Sequence, residues 1–353
     1  MRHTLVFIFT MLTLSVFAQV DSNYLSIKLK GSAFFDNKEF TGNIKKGYTH
    51  PGFGFNPYVE YGAGSFKFNV GFYTLYLAGA DSVERLVPTF SIETKLSEQF
   101  TMRVGTLDAD SCHALPEPIF KPERDYLNHP ETGFQIIYKG TKTNGEAWIN
   151  WEKYIKPASK FQEQFTVGIN HHYWQNGIGV EKGFNVNTIA LATHQGGQID
   201  STDLPVTTIV NLGERVSYGF LIAHHTNLKF SVSGYYSADK SPNPHLKYKE
   251  GGAVHPQVSV LWPATKLALG YWFSNKFVNP RGEELFGSVS TLGSTFDENT
   301  RKLITAEITF FKGTTKNFSF SAGFNGYYDL NNSNFEYSYT FRMKFDGGLM
   351  KIR

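Results

Sequence analysis

The residues best suited to chemistry gather in one stretch, Asp108–Glu131. It holds Asp108, Asp110, Cys112, His113, Glu117, Glu123, Arg124 and Asp125, together with Pro116, Pro118, Pro122 and Pro130. An adjacent cysteine and histidine are the ingredients of an activated thiolate or a metal site. Neighbours in sequence rarely reach the geometry either role demands, and no third partner is identifiable. No catalytic residue and no metal site are therefore assigned, and no cofactor is expected. The four prolines fix φ and stiffen the segment, and a long ordered loop is more often functional than a floppy one.

Two further histidine pairs, His171-His172 and His224-His225, end apolar runs. Neighbours in a strand point to opposite faces, so neither pair can chelate one ion. Beside Tyr173 and Trp174 they suit a membrane interface with an aromatic girdle. Ser217 with His224, or Asp110 with His113, could be forced into a hydrolase pair, but the spacing supports neither.

The elements that carry these residues alternate with a period of two. In Asn317–Phe345 the even positions Phe318, Phe320, Ala322, Phe324, Gly326 and Tyr328 oppose Asn317, Ser319, Ser321, Gly323 and Asn325, with Tyr327 the exception. After the turn Asp329–Ser333 the odd positions Phe335, Tyr337, Tyr339, Phe341, Met343 and Phe345 become the apolar set. Six apolar positions in succession on one face suit a strand that crosses hydrocarbon, which needs roughly 9–11 residues. Similar runs recur from Tyr24 onward, less cleanly in the middle, where Leu204–Glu214 is ambiguous. The count is about 16 strands, with 14–18 open, a size at which a closed barrel encloses water. Connections alternate between short turns, as at Gly62–Gly64 and Ser97-Glu98, and long loops, as at Asp108–Glu131 and Asn275–Thr300. The fold expected is all-β: one closed antiparallel transmembrane β-barrel.

Such strands put their charges inward, because a lipid-facing Arg or Lys at mid-depth costs about 2–4 kcal/mol. The lumen-facing candidates are Glu60, Lys67, Glu93, Arg103, Glu146, Glu152, Lys229, Lys266, Glu307, Arg342 and Lys344. Rings of such charges set the ion preference of a pore. Composition agrees: aromatics make up 16% of the 353 residues, with 32 Phe and 19 Tyr. The net charge of +3 argues against a nucleic-acid binder. A lone cysteine excludes an intrachain disulfide framework. Residues 1–18 read as a signal peptide: a basic start, a short apolar run and Val16-Phe17-Ala18 before Gln19. That leaves 19–353 as a single barrel domain.

This pattern, carried over nearly the whole mature chain, resembles Gram-negative outer-membrane β-barrels of the general porin type. The resemblance implies the cell outer membrane, reached by Sec-type export, with outer-membrane lipid and small hydrophilic solutes as partners and a homo-oligomer left open. It implies passive diffusion of those solutes and not an enzyme. The alternatives are a barrel hydrolase acting on lipid or peptide at the rim, or a structural or adhesive barrel with a plugged lumen. Porin-type barrels commonly fold one loop into the pore, which makes Asp108, Asp110, Glu117, Glu123, Arg124 and Asp125 the constriction candidates. Such barrels usually finish on an aromatic residue in the last strand; Phe345 fits, yet the chain runs on to Arg353.

Overall fold

A computed structural model describes residues 23–109, 112–244, 246–292, 296–315 and 317–352. The expected signal peptide and Asp110 lie outside the described residues. The chain forms sixteen strands. The first eight are β1 (Tyr24–Glu39), β2 (Tyr48–Ala63), β3 (Phe66–Leu77), β4 (Arg85–Lys95), β5 (Phe100–Thr106), β6 (Thr132–Lys139), β7 (Thr143–Lys153) and β8 (Glu163–Trp174). They are followed by β9 (Gly183–Gly196), β10 (Thr207–Ala223), β11 (Thr226–Asp239), β12 (Glu250–Leu261), β13 (Thr265–Asn275), β14 (Thr300–Thr315), β15 (Phe318–Asp329) and β16 (Asn334–Ile352). Each strand pairs antiparallel with its neighbours in sequence, and β1 pairs with β16 to close the barrel. Closure removes every sheet edge, so no backbone row is left unpaired toward lipid.

Alternation decides which side chains meet lipid. Phe53, Phe72, Val232, Leu269, Ile308 and Phe341 all point outward, each about half exposed. An apolar belt on this scale has no place on a water-soluble surface. The connections separate into two kinds. Short turns such as Gly64-Ser65 and His224-His225 close one end, and loops 40–47, 107–131, 197–206 and 276–299 crowd the other. By that asymmetry the loop end is the outer one.

Two readings of the strands change. The ambiguous Leu204–Glu214 segment contains the start of β10, whose inward positions include Ile209 and Asn211. Ile209 is apolar and fully buried on the lumen side, which blurred the alternation. The last strand runs past Phe345 to Ile352 and stays paired with β1, with a register shift at Ile27/Lys28. The residues after Phe345 pair with Leu25–Lys30, and the shift absorbs only Leu349.

The hydrophobic core lies inside the outer half of the barrel. Phe40, Leu107, Leu115, Ile119, Phe120, Phe277, Leu285 and Phe286 come from loops. Trp148, Ile189, Leu191, Tyr235, Trp272, Leu303 and Tyr327 come from the inward faces of strands. Tyr327, the one break in the pattern of β15, belongs to this core.

Candidate functional site

Loop 107–131 folds into the lumen and is held at its neck. Leu107 donates its backbone N–H to the Glu131 carbonyl at 3.0 Å. Gln135 of β6 accepts from the Asp108 N–H and donates to the Asp108 carbonyl, both at 2.9 Å. The prolines stop regular structure, so the loop folds in single turns: Ile119 and Phe120 both donate to the Pro116 carbonyl, and a one-turn helix, α1 (Arg124–Leu127), follows. His113 is the anchor. Its Nε2 lies 3.1 Å from Glu131 Oε2 and its Nδ1 3.0 Å from Glu146 Oε1, while the ring stacks on Trp148 at 3.9 Å. Burial alone would lower its pKa, but the hydrogen bonds and charges of Glu131 and Glu146 prevail and hold it at about 9. With both ring nitrogens engaged, His113 has none to offer Cys112. Burial pushes the Cys112 thiol up, so it stays protonated and is no nucleophile.

A second loop, 276–299, meets the first across a buried ionic cluster. Lys38 of β1 reaches Glu123 Oε2 at 2.8 Å and also bonds Glu283. Lys45 bonds Glu283 at 3.1 Å and Glu284 at 2.5 Å, and Lys121 bonds Glu284 at 2.8 Å. Tyr48 donates to Glu123 at 2.6 Å, and Tyr327 to Glu117 at 2.6 Å. Burial disfavours the charged form of Glu284, but Lys121 and Lys45 outweigh it and hold the carboxyl at about 2. For Glu117 burial dominates, with the Glu283 charge adding to it, and the carboxyl sits at about 8. Glu123, Glu283 and Glu284 bring oxygens within 4.8 Å of one another, a spacing a metal could use. Three lysines already neutralise them, so no cation is required.

The eleven lumen candidates divide by depth. At the short-turn end Glu93 bonds Lys67 at 3.0 Å and also Arg103, while Glu60 bonds Lys28 at 2.7 Å. Lys266 pairs with Glu307 and Lys229 with Glu181, each at 2.7 Å. Glu146 and Glu152 lie under the loop, the latter bonded by Arg124 and Arg281 at 3.0 Å each. Arg342 and Lys344 reach Asp125 at 3.5 and 2.7 Å. Of the constriction candidates, Glu117, Glu123, Arg124 and Asp125 make their side-chain contacts inside the lumen, and Asp108 is held at the loop neck through its backbone. Sequence reasoning missed Lys38, Lys45, Arg281, Glu283 and Glu284. The signal available was the Pro280-Arg281-Gly282-Glu283-Glu284 cluster in a second long loop.

Below the loops a cavity of about 530 Å³ extends to the short-turn end. His172 and Trp174 line it, with rings 5.0 Å apart. Their expected place in the membrane girdle is thus corrected: by alternation only His171 and Tyr173 of that run face outward. Ser217 also lines the cavity, whereas His224 stacks against His225 in the short turn, so this pair is not brought together.

Several polar pairs lie on the outer wall near the long-loop end, and one of them joins a histidine to a hydroxyl. His194 of β9 and Thr208 of β10 are direct cross-strand partners on the lipid-facing side, with His194 Nδ1 2.9 Å from Thr208 Oγ1. The imidazole stacks on Phe165 of β8 at 4.7 Å, and Trp151 of β7 continues the row. Thr208 is fixed by its backbone: its N–H donates to Ser241 Oγ at 2.9 Å and its carbonyl accepts from the Lys240 N–H at 2.7 Å. A histidine within hydrogen-bond reach of a hydroxyl can act as general base toward it.

These features define a porin-type outer-membrane barrel. Pseudomonas aeruginosa OprD is similar, at 11% identity and a TM-score of 0.57, with 94% of this chain and 98% of that one covered. Acinetobacter baumannii OccAB1 matches at 12% identity and 0.53, covering 95% and 99%. A loop-deleted OmpT from Vibrio cholerae matches at 10% and 0.51, covering 92% and 99%. At such identities the likeness speaks for the fold. No curated protein matches the chain by sequence. Residues 17–352 match the family model described as lipid A 3'-O-deacylase-type, and the chain belongs to that family. The expectation of a non-enzyme is overturned by this match. Period-two alternation reports the barrel and is blind to chemistry on its wall, so the porin pattern could not carry that conclusion.

Proposed function

We propose that the protein is an outer-membrane esterase that removes an ester-linked acyl chain from a lipid A-type glycolipid in the outer leaflet. Sec-type export to the outer membrane of a Gram-negative cell belongs to the same reading. The observation that carries it is the family match over residues 17–352. Two features support it. Loops rather than open water occupy the outer lumen, which disfavours free diffusion. His194 and Thr208 sit where the acyl esters of an outer-leaflet lipid would lie, beside the aromatic shelf of Trp151 and Phe165 on which chains can rest.

His194 is the base and Thr208 Oγ1 the nucleophile in this proposal. The Thr208 proton passes to His194 Nδ1 as Oγ1 adds to the ester carbonyl. That proton then goes to the departing sugar oxygen. Water, activated by the same imidazole, cleaves the threonyl ester, releasing the fatty acid and restoring the hydroxyl. The test is fatty-acid release from lipid A in mixed micelles, followed by mass spectrometry. Removing a general base should slow the reaction about 10²–10⁴-fold, so His194→Ala should fall by that factor while remaining a folded, heat-modifiable barrel. Absence of release by the wild type would sink the reading. Full activity in His194→Ala would move the site elsewhere on the wall.

A further inference from the structure

The lumen cavity carries a row of polar side chains that neither the loops nor the outer-wall pair use. Register places them in order around the concave wall: His172 of β8 opposite Asn187 of β9, Asn187 opposite Arg215 of β10, Arg215 opposite Ser233 of β11, and Ser233 opposite His255 of β12. Strands lie about 4.8 Å apart, so this arc sets two imidazoles on either side of one guanidinium.

Arg215 is distinct among the cavity's cations. Lys229 and Lys266 are neutralised by Glu181 and Glu307, Lys38 by Glu123 and Glu283, and Arg342 reaches Asp125. Arg215 donates through Nε to Ser233 Oγ at 2.9 Å and makes no ion pair among the described residues. Its two terminal nitrogens are left for something else. The histidines are unfinished in the same sense. His255 is 96% buried, engages Thr305 Oγ1 through Nε2 at 3.0 Å, and leaves Nδ1 without a partner. His172 leaves Nε2 without one. Both rings line the cavity, and each keeps one unpartnered nitrogen buried in the wall behind it.

A buried polar atom without a partner is costly, and an unpaired guanidinium facing a cavity attracts an anion in bidentate geometry. We infer that the lumen cavity is a phosphate-binding site, with Arg215 gripping the phosphoryl oxygens between the flanking rings of His172 and His255. The cavity reaches Glu181 at the short-turn end, so the ligand enters from the periplasmic side. About 530 Å³ exceeds what one phosphate fills, which leaves room for a small organic body on a phosphomonoester. This site faces away from the outer leaflet and does not depend on the esterase reading.

The experiment is isothermal titration of the full detergent-folded chain with inorganic phosphate, and separately with glycerol 3-phosphate, at constant ionic strength set with chloride. Saturable binding of either probe is expected in the wild type. Losing a charge-assisted bidentate contact should weaken it about 10- to 100-fold in Arg215→Gln. Arg215→Lys keeps the charge but not the fork, and should fall between. Tighter binding of glycerol 3-phosphate would assign the surplus volume to an ester body, and equal binding would assign the site to the phosphoryl group alone. Absence of saturable heat in the wild type, or unchanged affinity in a folded Arg215→Gln barrel, would overturn the inference.

Discussion

Raising the pH should undock the lumen loop, and His113 sets much of the size of the effect. Its pKa rises from 6.5 to about 9 on burial between Glu131 and Glu146. A group held above its unfolded value contributes stability that is fully present below pH 6.5 and is lost as pH rises through 9. The difference corresponds to roughly 3 kcal/mol, or about a hundredfold in the docking equilibrium. Glu117 acts in the same direction: its carboxyl is lifted to about 8, so its contribution is present below about pH 4.5 and lost as pH rises through 8. Trypsin can read the outcome, because Arg124 is buried in the docked loop and becomes cleavable when it opens. When opening is fast relative to cutting, the rate follows the open population. Between pH 7 and pH 10, after correction with a reporter peptide, cleavage of the wild type should rise about a hundredfold or more. His113→Gln keeps hydrogen-bonding capacity but removes the charge. It should be cleaved faster already at pH 7 and retain only the part of the rise centred near pH 8. An identical pH response in the two proteins would refute the latch.

Two further outcomes follow from the same packing. Glu283→Gln leaves Lys38 and Lys45 buried with one acceptor charge fewer, and breaking a buried pair costs about 3–5 kcal/mol. The urea midpoint of the folded barrel, or the protease resistance of loop 276–299, should drop accordingly, and an unchanged value for both would place the cluster outside the stabilising core. Deleting 114–128 removes most of the lumen loop; in a planar bilayer the wild type should be nearly silent, and the deletion should give steps that scale with salt. Equal conductance in both proteins would mean that the loop does not obstruct the lumen.

How far the sequence could be read depends on what each strand's inner face touches. Where the lumen holds polar groups, as along Ser319, Ser321 and Asn325 of β15, the two faces differ and alternation locates the strand. Where loops fill the lumen, inner residues are themselves apolar: Trp148, Ile189, Leu191, Ile209 and Trp272 lose the contrast with their lipid-facing neighbours. The blurred middle of the chain was therefore a report of the plug. The inward loop was visible in its prolines and charges, but its partners Lys38, Lys45 and Glu283 were not. They come from segments some 80 to 160 residues away along the chain, and only closure of the barrel brings them together. His194 and Thr208 left no local mark either, because they are neighbours across strands joined by a loop of ten residues. Chemistry on the wall of a barrel is written in register, which a linear pattern does not display.

The seam between β1 and β16 has a consequence for how the molecule comes into being. Leu25 faces Ile352 and Glu39 faces Tyr337, so the barrel cannot close until Ile352 has been synthesised and exported. Pairings of such sequence separation form slowly, because the entropy of bringing the ends together is spent before any contact rewards it. The loops that fill the interior all lie between the two seam strands in sequence, so each is synthesised before the seam can zip shut. A chaperone that keeps β1 from pairing prematurely, and a catalyst that presents β16 to it, would each act on this one hydrogen-bonded line.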